Sequence, residues 1–113
     1  GKPYSEYIKE NIWQPLGMSQ AEWEFSKVPA SQLAKGHRWI NNQWIDEPML
    51  HDGIYGSMGG MITSMESFSK YIAFHLNAWP PSNTDDVGPV KRSTVREMHQ
   101  PWRYSGLNSQ YRY

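Results

Sequence analysis

The chain has 113 residues, enough for one domain or part of one. Its 11 Lys+Arg balance its 11 Asp+Glu, so nothing in its charge draws it to nucleic acid or an anionic membrane surface. It contains no Cys, which excludes disulfides, zinc–thiolate sites and thiol nucleophiles, and no apolar run approaches the roughly 20 residues of a membrane span.

The first element is a helix over residues 4–14. Tyr4, Tyr7, Ile8, Ile12 and Leu16 recur at helical spacing, Ser5, Glu6, Lys9 and Glu10 fill the other face, and Pro3 suits the entry. Pro15 and Gly17 stop it. Residues 18–34 hold Trp23, Phe25 and Val28 but are broken by Pro29, which predicts irregular structure with a short strand or turn.

A hairpin follows. Residues 34–40 and 43–47 flank Asn41-Asn42, and Asn tolerates the positive φ that a tight hairpin turn needs. Trp39 and Trp44 then face each other across the strands, and Pro48 ends the second one. Gly53, Gly56, Gly59 and Gly60 mark a place where the backbone bends sharply or approaches something closely.

A second helix spans residues 64–78, with Thr63 and Glu66 spaced as a capping box and Phe68, Tyr71, Ile72, His75 and Leu76 as its apolar stripe. Pro80-Pro81 closes it, and residues 82–88 form a polar, acidic loop. Ser93 is placed to cap a short third helix through His99, with Val95 and Met98 inward, ending before Pro101. The expected core is Tyr7, Ile8, Ile12, Phe68, Tyr71 and Ile72, with the Trp hairpin laid across it. Leftover apolar surface is expected to drive self-association.

Few residues offer chemistry. His37, His51, His75 and His99 show no metal-ligand spacing and read as scattered surface or half-buried histidines, so neither a metal nor another cofactor is expected. Gly56-Ser57-Met58-Gly59 falls short of a nucleophile elbow because residue 55 is Tyr, not Gly. Ser67-Phe68-Ser69-Lys70 matches S-x-x-K, but that motif needs its Ser at a helix N-terminus, and Ser67 is read here as a turn inside the helix. Tyr104-Ser105-Gly106 starts a Tyr-x-Asn motif without completing it. Trp23, Trp39, Trp44, Trp79 and Trp102 allow a reading from another class, a non-catalytic aromatic-rich module that stacks on sugars.

Taken in order, several segments resemble the β-lactamase-related serine hydrolases, which include class C β-lactamases, D-alanyl-D-alanine carboxypeptidases and esterases. Tyr4-Ser5-Glu6-Tyr7-Ile8 through Pro15-Leu16-Gly17-Met18 resembles that family's helix and P-L-G-M stop. Leu33-Ala34-Lys35-Gly36-His37 resembles L-A-x-G-Y, with His for the usual Tyr. Gly59-Gly60-Met61-Ile62-Thr63-Ser64-Met65-Glu66-Ser67-Phe68 resembles G-G-L-x-S-T-A-x-D-L, with Ser67 in the place of Asp. Gly88-Pro89-Val90 through Met98 and Pro101 resembles the next loop and short helix.

The resemblance implies an α+β fold: a mainly helical piece with a β-hairpin, part of the β-lactamase/transpeptidase-like fold. It implies that residues 1–113 belong to the helical region of a serine hydrolase domain, between the family's second and third catalytic motifs. Gly1 in place of Met, and a last residue Tyr113 with no helix stop or polar tail, fit an internal piece of a longer chain. The family's catalytic Ser, Lys and Tyr are then expected elsewhere, and the piece alone is expected to be inactive. Its contribution to the cleft would be Ser57, Met58 and Gly59, lining the site of a small-molecule or peptide substrate. Class C enzymes carry a Tyr near the position of Gly59, so the resemblance favours an esterase or peptidase relative. It also implies a periplasmic or exported location.

Overall fold

The structure, a computed structural model, describes residues 1–103. They form helices and two separate two-stranded antiparallel sheets, an α+β arrangement.

Helix α1, Tyr4–Ile8, starts on Pro3, whose φ of −55° suits the entry. It runs directly into a π-helical stretch, Lys9–Trp13, in which the Gln14 N–H donates to the Lys9 carbonyl at 2.9 Å. Pro15 has no N–H, and its ring crowds the carbonyl four residues back, so the last turn widens before it stops. The stop is a Schellman motif. Gly17 sits at φ +68°, its N–H donates to the Gln14 carbonyl at 3.0 Å, and the Met18 N–H donates to the Trp13 carbonyl at 2.8 Å. Trp13 and Met18, at the two ends of the motif, are both buried and line the same cleft. The Pro-Leu-Gly-Met run is therefore a helix stop that ends in a buried apolar residue.

Residues 18–34 are irregular, as the sequence predicts: strand β1, Ala21–Glu22, and two short 3-10 turns, Phe25–Lys27 and Ala30–Gln32. Trp23 fastens this segment to the first helix. It stacks on Trp13 at 4.7 Å, meets Tyr4 edge-on at 5.2 Å, and donates its Nε1–H to the Ser5 carbonyl at 3.3 Å.

Strands β2, His37–Ile40, and β3, Gln43–Asp46, form the expected hairpin. Asn41 and Asn42 carry φ of 51° and 61°, the paired positive values of a type I′ turn. Trp39 lies opposite Trp44, ring centroids 5.2 Å apart and tilted by 64°. The hairpin does not lie across the core. Both of its faces are exposed along their whole length.

The glycine-rich segment folds as a 3-10 turn, Gly53–Tyr55, followed by a single helical turn, α2, Gly56–Gly59. A Cβ on Gly56 would stand 2.5 Å from the Tyr4 hydroxyl, so a side chain there would have to displace the Tyr4 ring for this turn to approach the first helix as closely. Strand β4, Ile62–Thr63, pairs with β1, and helix α3, Met65–Leu76, follows at once. Its cap is Ser64, one residue later than predicted: the Ser64 Oγ accepts the Ser67 N–H at 3.1 Å. Helix α3 ends at Leu76, before the prolines.

Helix α4, Arg92–Met98, begins on Lys91 and has no cap from its own side chains. Ser93 does not cap it. Asp86, six residues back in the acidic loop, accepts the Arg92 N–H at 3.0 Å and the Arg92 Nε–H at 3.2 Å instead. Val95 is fully buried, as expected, but Met98 is 62% exposed.

The core differs most from expectation. It is built on Phe74, Ala78 and Val95, with Leu16 and Val90 packed against them. Tyr7 is 56% exposed and Ile72 41% exposed, so neither is core. The buried positions of α3 and its end, Ser67, Phe74 and Ala78, lie about one residue out of phase with the predicted stripe. A buried serine on that face is what hid the phase.

Candidate functional site

Polar contacts fix where the start of α3 meets the chain after the first helix. The Gln20 N–H donates to Ser67 Oγ at 3.0 Å, and the Ser64 N–H donates to the Gln20 carbonyl at 3.3 Å. The Lys70 Nζ donates to the Gly17 carbonyl at 2.7 Å, and the β1–β4 ladder pairs Ala21 with Thr63. The S-x-x-K pair is thus spent on architecture. Ser67 lies in the first turn of α3, not a turn inside it as predicted, yet it is 1% exposed and holds a backbone N–H. Lys70 reaches away from it to the carbonyl of the Schellman glycine.

That stitching leaves an apolar cleft of 540 Å³ between the first helix, α2, α3 and α4. Trp13, Met18, Gly56, Phe74 and Val95 are its buried residues, and Tyr4, Ile8, Trp23, Tyr71 and Met98 also line it. Ser57, Met58 and Gly59, the predicted cleft residues, all border it from α2. Met58 is 79% exposed. The Ser57 hydroxyl accepts no hydrogen bond from, and donates none to, a side-chain base among the described residues, so nothing there activates it as a nucleophile. A larger cleft of 780 Å³ shares Trp13 and Met18 and is bordered by Lys9, Gln14, Lys27 and Gln32; no residue of the glycine-rich turn reaches it. Tyr104-Ser105-Gly106 lies outside the described residues.

The histidines are not all scattered. His75 Nδ1 and His99 Nε2 are 2.8 Å apart, joining α3 to the end of α4. Burial, and then the neighbouring His99, push the His75 pKa below its ordinary value of 6.5. Among the described residues no three His, Asp or Glu side chains converge, so this pair has no third protein ligand of the kind a tetrahedral metal site uses. The 24 residues between the two histidines gave no local spacing to read; only the packing of α4 on α3 brings them together. His37 pairs with Asp46 at 2.9 Å on the hairpin, and His51 with Glu24 at 3.3 Å.

Three comparisons bear on what this arrangement serves. A family model described as Beta-lactamase matches residues 1–110. Beta-lactamase-like protein 1 of Dictyostelium discoideum is 25% identical over 111 residues, covering 87% of this chain and 18% of that protein. Beta-lactamase-like protein 2 of the same organism is 31% identical over 78 residues, covering 68% of this chain and 14% of that protein. The chain thus spans less than a fifth of the length of the curated relatives it matches. No solved structure matches it.

Proposed function

This chain belongs to the β-lactamase family, and on that premise we propose that it is part of a serine hydrolase which opens an amide or ester through an acyl-enzyme. The match over residues 1–110 carries the reading. In the proposed reaction a serine hydroxyl outside these residues attacks the substrate carbonyl, and a Lys and a Tyr move its proton. Backbone N–H groups stabilise the oxyanion, the C–N or C–O bond breaks and the amine or alcohol leaves with the proton, and water then hydrolyses the acyl-serine to release the acid and restore the hydroxyl. Residues 1–113 would form part of the helical region of the β-lactamase/transpeptidase-like fold and hold the cleft wall rather than the nucleophile.

Within that reading Ser57, Met58 and Gly59 face the substrate. What supports them is their place on α2 at the rim of the apolar cleft, beside side chains suited to a hydrophobic acyl or side-chain group. Gly59 leaves that rim open where a bulkier residue would fill it, which favours an ester or peptide substrate over a β-lactam. The test is made on the full-length protein. A fluorophosphonate should label it covalently at a serine of an S-x-x-K motif, and Gly59→Trp should lower kcat/KM at least about tenfold by filling the rim. A full-length sequence with no S-x-x-K upstream of Gly1 and no K-T-G or H-x-G downstream of Tyr113 would remove the proposal.

One observation favours a second reading, a non-catalytic binding module: the Trp39–Trp44 pair is 53% and 69% exposed on a hairpin with no packed face. Binding on a glycan array that is lost with Trp39→Ala or Trp44→Ala would support it.

A further inference from the structure

His75 lies in the last turn of α3, His99 caps the C-terminus of α4, and their facing nitrogens are 2.8 Å apart. A hydrogen bond of that length needs one N–H and one lone pair. Two neutral imidazoles supply both, and an imidazolium with a neutral partner makes the stronger, charge-assisted version. Two imidazolium rings cannot make it, because both nitrogens then carry protons and two like charges face each other. We propose that the His75–His99 pair is a proton-operated latch that ties the ends of α3 and α4 while at least one ring is neutral and releases them when both are protonated.

The protein offers the second proton no paired carboxylate among the described residues, and much of the wall around the pair is aromatic. Tyr71, from α3, meets His75 edge-on at 4.5 Å, Phe74 does so at 5.3 Å, and Trp79 meets His99 at 5.3 Å. From α4, Arg96 is committed elsewhere: its Nη1–H donates to the Ala78 carbonyl at 2.6 Å. Among the described residues the carboxylates paired with histidine are Asp46 and Glu24, on His37 and His51, and neither meets this pair. Burial and the His99 charge both depress His75, in that order.

Release has a definite consequence. The latch and the packing of Val95 on Phe74 tie α4 to α3, and the Arg96–Ala78 bond and the Trp79–His99 ring contact tie it to the residues just past α3. Tyr71, Phe74, Val95 and Met98 on those helices also wall the apolar cleft, so loosening α4 opens that wall. The latch stands independently of the hydrolase reading, because it rests on the two imidazoles alone.

The experiment is a histidine-resolved NMR titration of the 113-residue chain from about pH 8 to about pH 5, paired with amide hydrogen exchange in α4 at both ends of the range. His99→Gln keeps a side chain that can accept from His75 in either protonation state, so it should hold α4 at both pH values. In the native chain α4 exchange, corrected for its intrinsic pH dependence, should rise about tenfold more on acidification than in His99→Gln, equivalent to about 1.4 kcal/mol. The His75 midpoint should also move up in that variant. His75→Gln, read by exchange alone, should likewise lose the pH step. An unchanged His75 midpoint, or equal α4 exchange in the native chain and both variants, would overturn the latch.

Discussion

The Gln20 backbone N–H donates to the buried hydroxyl of Ser67 at 3.0 Å, binding the segment after the first helix to the first turn of α3. Ser67 also donates its own N–H to the Ser64 cap, so one residue serves both the helix start and the neighbouring segment. Ser67→Ala removes the acceptor and leaves a part-buried N–H unpaired. It should destabilise the chain by about 1–3 kcal/mol, measured by urea unfolding. The same variant should leave fluorophosphonate labelling unchanged. Labelling of Ser67 in the native chain, lost in Ser67→Ala, would show that its commitment to Gln20 had been misjudged.

Gly17 is the second fixed point. At φ +68° it closes the first helix, and its carbonyl receives the Lys70 ammonium. Gly17→Val should destabilise by about 1–2 kcal/mol, because a side chain is disfavoured in the left-handed region. Lys70→Met should lose less, since that bond is exposed to solvent and screened. Equal losses from the two would mean that the backbone conformation is not what holds the stop.

Acid should unwind α4 by a second route, separate from the histidine pair. Asp86 accepts the Arg92 N–H and Nε–H, and those hydrogen bonds hold its carboxyl below the ordinary 3.8. A folded-state pKa below the unfolded one means the contribution is complete above 3.8 and is lost as pH falls through the folded value. Helicity followed by circular dichroism should therefore show an acid step below pH 3.8 that Asp86→Asn abolishes. A step that persists in Asp86→Asn would assign the cap elsewhere.

How much of this was legible in the sequence depends on whether a signal was local. The Asn41-Asn42 turn and the Trp39–Trp44 pairing were readable because a hairpin's register is set by its turn. The Pro15 and Gly17 stop was readable for the same reason, and the glycines marked the close approach of α2 to Tyr4. The core was not. Periodicity alone put Phe68 and Ile72 inward, whereas the inner face of α3 carries Ser67, a polar residue buried only because Gln20 satisfies it. Helix α4 was capped from Asp86 across a loop, and His75 met His99 across a helix pair; neither partner can be read from spacing along one element. The cleft position of Ser57, Met58 and Gly59 came from family resemblance, and only the packing of four elements defines the cavity they border.

Val95 tests the small core directly. It is fully buried against Phe74 and Ala78, so Val95→Ala should remove about 1–3 kcal/mol of stability by leaving a cavity. Met98→Ala, at a 62% exposed position one turn on, should change stability by less than about 0.5 kcal/mol. A reversed order would place the α3–α4 contact on the other face of α4.

Such a core is thin for a chain of this length, and that leads to the last prediction. The buried apolar side chains of the described residues are Trp13, Met18, Phe74, Ala78 and Val95. The radius of gyration is 18.4 Å, against about 13 Å for a compact chain of this size. Leu50, Ile54, Met58 and Met65 are 75–81% exposed. Apolar surface of this extent is covered by another surface when one is available, and for the chain in isolation the available surface is a second copy. Sedimentation velocity at micromolar concentration should show a concentration-dependent shift to dimer or larger. Ile54 and Met58 are the most exposed large apolar residues of the glycine-rich segment, so Ile54→Glu with Met58→Asp should return the chain toward monomer without unfolding α3. A monomer across the whole concentration range would mean that the exposed residues are too dispersed to form one adhesive face. An assembly untouched by the double variant would place that face elsewhere, with the Trp39–Trp44 hairpin the next surface to change.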